Sequence, residues 1–259
     1  MQAPSGVEVV AGGRVFYKPT KADKKIYKGM SVVIAVPCKD NEMGASFSRD
    51  VGNLIAYSWH NGLRVDQMAI TERMVVHWAR NELATNCRDY ECPWTGKKFT
   101  HILWLDDDQA FRPDMLVWLA RNGHLDVISA LYYGRQKALP VAYVRDDSDN
   151  KYSHYTMLTV PTEVVEVDAV GFGGVLMRRE ILDKLEEPYF SFKDAGEDVY
   201  FCARAKEQGV KIHLDGRYSI GHIGDAEVVT RKTYEKYVED HREEFGEKIE
   251  KRIIPIPGA

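Results

Sequence analysis

Asp106, Asp107 and Asp108 stand together in the stretch HILWLDDDQAF, directly behind the apolar run Ile102-Leu103-Trp104-Leu105. Three adjacent carboxylates repel one another unless something positive lies between them. Side chains separated by one residue on extended chain point the same way, so Asp106 and Asp108 are expected to face one cleft while Asp107 points elsewhere. Hard oxygen ligands in that arrangement suit Mg2+ or Mn2+, and such a cation would relieve the repulsion. The competing reading is a turn and a helix N-terminus, where aspartates cap backbone N–H groups and complement the dipole; Asp108 alone would fit it. Three aspartates behind one apolar strand exceed what capping needs.

The elements around the triplet decide where it sits. SVVIAVP, residues 31 to 37, is a continuous β-branched run stopped by Pro37, which suits a strand buried on both faces of a parallel sheet. GLRVDQMAI, THILWLD and LDVISALYY read as further strands. Apolar positions at helical spacing mark residues 46 to 60, and also 71 to 86, with Thr71 as N-cap of the second helix. RPDMLVWLARNG is expected to be a helix with Pro113 near its first turn and Gly123 just past its end. The stretch from 140 to 170 alternates and predicts antiparallel strands. RREILDKLEE and GEDVYFCARAKEQG read as helices, VKIHLDG and YSIGHIG as late strands, and TRKTYEKYVEDHREEFGEKIEKR as a charged closing helix.

This order predicts an α/β fold: a mixed, mostly parallel sheet flanked by helices, with a small antiparallel flap at one edge. In such sheets ligands bind beyond the carboxyl ends of the strands, which is where the triplet falls. Residues 1–29 are expected to form a hairpin and a lysine-rich linker, KPTKADKKIYKG; residues 30–225 a catalytic domain; residues 226–259 a C-terminal helix and tail.

Composition narrows the function classes. With 44% hydrophobic residues in a chain of 259, a large core is expected. The 35 basic residues do not outnumber the 39 acidic ones, so there is no strong nucleic-acid signature, although a local basic groove is left open. No apolar run approaches the roughly 18 to 20 residues that span a bilayer. MQAPSGVEVVAGG lacks the layout of a signal peptide, so no membrane partner and a cytoplasmic location are expected. Cys38, Cys87, Cys92 and Cys202 form no CxxC pair and are expected to be reduced, part-buried thiols.

Four stretches in order, HWARNELA, LWLDDDQAFRPDMLVWL, DAVGFGGVLMRREIL and GEDVYFCARAKEQG, resemble the nucleotide-sugar glycosyltransferases of the GT-A (Rossmann-like) fold. They are most similar to glycosyltransferase family 2 and to fungal mannan-polymerase subunits, over about residues 30 to 225. The resemblance implies that Asp106 is directed to the donor ribose or the metal and Asp108 to the metal. His222 in SIGHIGD would supply a third ligand, ahead of His213. Mn2+ or Mg2+ would then neutralise charge on the departing nucleoside diphosphate. GEDVYFC resembles the xED element of inverting members, which makes Asp198 the base for the acceptor hydroxyl and Glu197 an acceptor-binding or orienting group. Pro37, Lys39 and Asp40, together with Asp107, are implied on the nucleotide side, Arg80 at the nucleotide or phosphates, Gly173 and Gly174 along the donor sugar, and Arg135 at the sugar or acceptor. Blander readings stand beside these: helix capping for Glu197 and Asp198, a solvated helix arginine for Arg80, and a simple turn for the glycines.

Two departures from the family pattern matter. PCKDN replaces the PxYNE common in family 2 and leaves the nucleotide open, UDP ahead of GDP. No QxxRW-type element follows the GED stretch, so a single transfer is implied rather than processive synthesis. The reading is a metal-dependent transfer of one sugar, with inversion, to a hydroxyl of a glycan, a small molecule, a protein or a hydroxylated DNA base. A nucleotidyltransferase would normally carry a glycine-rich, Arg/Lys-bearing loop after its first strand, which VPCKDNEMG lacks. A non-catalytic nucleotide-sugar or carbohydrate-binding module is the other alternative.

Overall fold

The computed structural model describes residues 7–10, 14–40, 42–145, 152, 154–193, 195–224 and 228–242. Its centre is a seven-stranded sheet made of β1 (Ser31–Pro37), β2 (Arg64–Thr71), β3 (His101–Trp104), β4 (Val127–Leu131), β5 (Val164–Val167), β6 (Val175–Arg178) and β7 (Ile212–Ser219). The spatial order is β5-β7-β4-β6-β3-β1-β2. β1 pairs parallel with β2 and β3, and β7 parallel with β4. β6 lies antiparallel between β3 and β4, and β5 runs antiparallel to β7 at the edge. Five strands therefore point one way and two the other.

The apolar runs form these strands because both faces of the sheet are covered. Val33 and Ala35 of β1 enter one core cluster and Val32, Ile34 and Val36 the other; Ile102 and Trp104 separate from Leu103 and Leu105 in the same alternation. Each large side chain taken fully from water contributes roughly 1.5–3 kcal/mol.

The helices are α1 (Lys21–Tyr27), α2 (Ala45–His60), α3 (Val76–Asp89), α4 (Met115–Ala120), α5 (Glu197–Glu207) and α6 (Arg231–Asp240). A three-stranded antiparallel flap joins Ala142–Arg145 to His154–Thr156 and Ala169–Val170. A second small sheet pairs Gln109–Ala110 with Gly221–Ile223, and Gly221–Ile223 with Val228–Val229.

Four local expectations change. The lysine-rich stretch is not only a linker: it holds α1, started by a capping box between Thr20 and Asp23 and anchored by Tyr27, whose hydroxyl donates to Val117 O at 2.5 Å. Thr71 does not cap a helix but ends β2, accepting the Cys38 N–H at 2.8 Å, so that α3 begins five residues later. RREILDK is a 3-10 turn over Arg179–Lys184. VLMR, between two glycines and two arginines, becomes the central strand β6. It is too short for its period to show, and only partners on both sides make it a strand.

All four cysteines are buried and unpaired. Among the described residues no helix is long and apolar enough to cross a membrane. The expected tail beyond residue 242 lies outside the described residues.

Candidate active site

β3 delivers the aspartate triplet to the carboxyl end of the sheet, and each carboxylate turns to a different partner. Asp106 Oδ1 accepts from Arg80 Nη2 at 2.8 Å. Asp107 Oδ2 accepts the Lys39 N–H at 3.3 Å and the Cys38 thiol at 3.2 Å. Burial, followed by this carboxylate, pushes the Cys38 thiol up to about 11. Asp108 Oδ2 lies 3.1 Å from Arg135 Nη1, and its Oδ1 lies 3.3 Å from His222 Nε2. The protein's own cations and N–H groups thus relieve much of the repulsion expected of the triplet.

Arg80 is the centre of the site. Its α3 neighbours Ala79, Leu83, Ala84 and Cys87 form the buried face of the helix, and Arg80 shares that face with a side chain only 3% exposed. One guanidinium nitrogen, Nη1, meets both Glu197 Oε1, at 2.6 Å, and Asp198 Oδ1. Beneath it, Phe172 and Phe190 place their ring centroids 5.7 and 5.9 Å from its Cζ, and both rings pack on Trp104 at the end of β3. Burial alone would disfavour the charge on Arg80. The pull of Asp198, then of Asp106 and Glu197, outweighs it and raises the pKa. The sequence expects Arg80 at the nucleotide or phosphates; here its two Nη atoms are engaged by three carboxylates, and its Nε is buried without a partner among the described residues.

Glu197 and Asp198 open α5, with Gly196 as N-cap. Asp198 Oδ2 also accepts the Phe172 N–H at 3.3 Å, so the carboxylate is held and not merely decorating the helix dipole. Burial is the largest influence on Asp198 and raises its pKa; Arg80 opposes the rise, and Glu197 and Asp106 add to it. Asn81 fixes the approach to α5 by donating to Phe190 O at 2.7 Å and accepting the Phe190 N–H at 3.0 Å.

His222 stands opposite Gln109 in the small sheet, so the two side chains share a face. Its Nδ1 lies 2.9 Å from Tyr133 O, which assigns the proton to Nδ1 and turns Nε2 toward Asp108. Burial pulls the His222 pKa down, and the nearby Asp108 carboxylate more than reverses this. His213, the histidine set aside, is buried in β7 with Nδ1 3.2 Å from Val127 O.

Gly173 and Gly174 divide. A Cβ on Gly173 would sit 2.6 Å from Gln109 Nε2 and 3.1 Å from Asp106 Oδ2, so glycine there lets backbone close on the site. Gly174 presses instead on Ile220 and Met115, and its smallness serves the packing of β6. Gln109 was missed by sequence reasoning. It is fully buried, and neither amide atom has a hydrogen-bond partner among the described residues. Its only sequence signal is its place one residue after the triplet.

Two cavities flank the triplet. One of about 540 Å3 is lined by Asp40, Glu42, Met43, Gly44 and Arg73, next to the Pro37-Cys38-Lys39 segment that Asp107 holds. The other, about 380 Å3, is lined by Arg135, Gln136 and Lys137 together with Pro140, Tyr143 and Thr156 of the flap region, on the Asp108 side.

Among the described residues no three His, Cys, Asp or Glu side chains gather into a metal-binding group. The three-ligand set Asp106, Asp108 and His222 is therefore not assembled: Asp106 is drawn to Arg80, and only Asp108 and His222 meet. That pair still suits a divalent cation, because Asp108 Oδ1 is buried without a hydrogen bond and faces an imidazole nitrogen.

The chain's architecture is similar to two solved structures. A197 from STIV superposes with a TM-score of 0.53 at 19% identity, covering 79% of this chain and 91% of A197. GalNAc-T7, solved with UDP, GalNAc and Mn2+, gives 0.50 at 15% identity, covering 88% of this chain and 49% of that one. The fold is of the GT-A type. This chain spans about half of the GalNAc-T7 chain, and at these identities the likeness is one of fold. No family model and no curated protein sequence matches.

Proposed function

We propose that the protein is a nucleotide-sugar glycosyltransferase that moves one sugar from a nucleoside-diphosphate sugar, UDP-linked before GDP-linked, to an acceptor hydroxyl with inversion. The observation that carries this reading is the convergence, at the carboxyl ends of β1 and β3, of the Asp108–His222 pair with the Arg80-bound carboxylates Asp106, Glu197 and Asp198. The two cavities on either side of the triplet fit the two ends of such a donor. Asp40 and the Lys39 segment would meet the nucleoside, and Arg135 would meet the sugar or its acceptor.

In this reading Asp108 and His222 would hold Mn2+ or Mg2+, which would supply positive charge for the diphosphate leaving group. Asp198 accepts the proton of the attacking hydroxyl. Its pKa, raised to about 8, makes it a stronger base than an ordinary carboxylate on the alkaline side of that value, where it is ionised, and the Phe172 N–H and Arg80 fix its orientation. Arg80 is a positioning residue that keeps three carboxylates at one place despite their mutual repulsion. The acceptor class, whether glycan, small molecule, protein or hydroxylated DNA base, is left to assay.

Thermal melting with UDP or GDP in the presence of Mn2+ tests the reading. Nucleotide at about 100 times its dissociation constant should stabilise the fold by roughly 2.7 kcal/mol. Chelator should abolish the gain, and Asp108→Ala should abolish it more completely than Asp107→Ala. No response to either nucleotide would remove the donor assignment, and a full response in chelator would remove the metal.

A further inference from the structure

At the opposite end of the sheet Lys28, the last lysine of the N-terminal stretch, meets cations from other parts of the chain. A cavity of about 340 Å3 opens beside Ser31 and Thr100, at the amino ends of β1 and β3, where Lys28, Arg64, Lys97 and Lys98 converge. β1 is seven residues long, so this cavity lies roughly 20 Å from the aspartate triplet at about 3.3 Å per residue. None of the described residues lining it is acidic.

The four cations differ in how far they are already committed. Arg64 is paired with the buried carboxylate of Asp66 at 2.7 Å, and Lys98 Nζ donates to Arg88 O and Asp89 O, with the Asp89 carboxylate close enough to feel its charge and Glu91 cross-strand from it. Lys28 and Lys97 are exposed, and their side chains have no hydrogen-bond or ion-pair partner among the described residues. A chain with a net charge of −4 thus gathers four cations around one hollow, with the Asp66 carboxylate held by Ser31 and Arg64 behind its lining.

Lysines alone would be an ordinary solvated surface; Trp94 makes the difference. Its indole is 76% exposed, yet Nε1 donates to Asp66 O on the edge strand β2 at 3.0 Å. It stands in a tight turn in which Thr95 N–H and Gly96 N–H both donate to Cys92 O, at 3.1 and 2.9 Å, with Gly96 at φ 61°. The ring is therefore pinned along one edge with its faces open to solvent, directly before Thr95 and Lys97 of the cavity. An apolar side chain left this exposed is normally mobile. One held rigid beside a basic hollow is a stacking platform.

We propose that this face binds single-stranded nucleic acid, with a phosphate among Lys28, Lys97 and Lys98 and a neighbouring base stacked on Trp94. Cations beside an ordered aromatic face are the recognition chemistry of an unpaired strand: charge tracks the backbone, and the ring accepts any base. The site stands apart from the glycosyltransferase reading and survives its failure.

Fluorescence anisotropy of labelled dT12 and rU12 titrated with the full chain at low salt tests it. Saturable binding is expected, accompanied by quenching of tryptophan emission. The Lys28→Ala/Lys97→Ala double variant should weaken binding at least tenfold and flatten the log–log salt slope by about 0.7, as loss of one phosphate contact on a single strand requires. Trp94→Ala should cost on the order of tenfold. The lysine side chains are exposed, so the double variant should melt like the parent and keeps the test valid whatever Trp94→Ala does to folding. Absence of saturable binding overturns the proposal, as does binding that the double variant leaves intact. Binding of pyrophosphate without either oligonucleotide would make this a small-anion site instead. Binding only to vesicles containing phosphatidylserine would make it a membrane-facing patch.

Discussion

Asp114 and Arg80 are both almost fully buried charges, one surrounded by donors that match it and the other by more carboxylates than it can neutralise. Asp114 receives the Tyr17 N–H and the Tyr218 hydroxyl, each at 2.6 Å, and Arg112 at 3.1 Å. It ties the N-terminal hairpin, the start of α4 and the end of β7 into one joint. Arg80 faces Asp106, Glu197 and Asp198, while its own Nε is buried without a partner. A satisfied charge locks structure; an unbalanced one leaves carboxylates ready for another partner. The difference separates the joint from the site without reference to any relative.

The sharpest break of that comparison is Asp198→Asn. It keeps the shape and removes the proton acceptor, so turnover with a nucleotide sugar should fall about 10²- to 10⁴-fold while nucleotide affinity stays unchanged. Turnover that persists would return Asp198 to a helix-capping role.

Arg80→Met leaves three carboxylates facing one another and should cost about 3 to 5 kcal/mol by urea denaturation at a pH well above the Asp198 pKa, which stands at about 8 in the parent. The cost should shrink as the pH falls. Asp198 binds its proton more tightly in the native state than in the unfolded chain, so its ionised form works against stability above the native pKa, and that penalty disappears on protonation. Removing the arginine takes away the one influence that lowers this pKa, among those named, other than the Phe172 N–H. Recovery should therefore begin at higher pH in the variant than in the parent. A cost independent of pH would show that Arg80 matters only for packing.

Asp114→Asn keeps most of the volume but weakens three donors' hold, and should cost about 2 kcal/mol while leaving nucleotide binding intact. Any loss of nucleotide affinity would join the two regions that this comparison separates. The smallest effect should come from Gln109→Met, which removes two buried amide atoms without partners and should stabilise the fold by about 1 kcal/mol in the same assay. A destabilised variant would mean that Gln109 is already satisfied, by ordered water for instance.

Much of this fold was legible because its strongest signals are periodic and local. SVVIAVP and HILW are apolar at every position, which only a strand covered on both faces explains, and the alternating flap segments paired as their pattern implied. VLMR was not legible, since three apolar residues carry no period and their role as the central antiparallel strand is set by β3 and β4 on either side. For the site, the triplet, the GED turn and His222 could be pointed to from residue type and order, and the structure does bring them to one end of the sheet.

Which carboxylate meets which cation is another matter. Asp106, Asp107 and Asp108 are chemically identical in the sequence. Their division among Arg80, the Lys39 backbone and the Arg135–His222 side follows from strands and helices that are far apart along the chain. The same holds for Arg80, which the sequence offers as a nucleotide or phosphate contact or else as a solvated helix arginine, and whose face of α3 is buried with Leu83 and Ala84. Sequence by itself determined the elements and the inventory of charged groups, because propensity and hydrophobic period act over a few residues. Only the tertiary structure decided the pairings, because an ion pair depends on distances of about 3 Å between groups up to 118 residues apart.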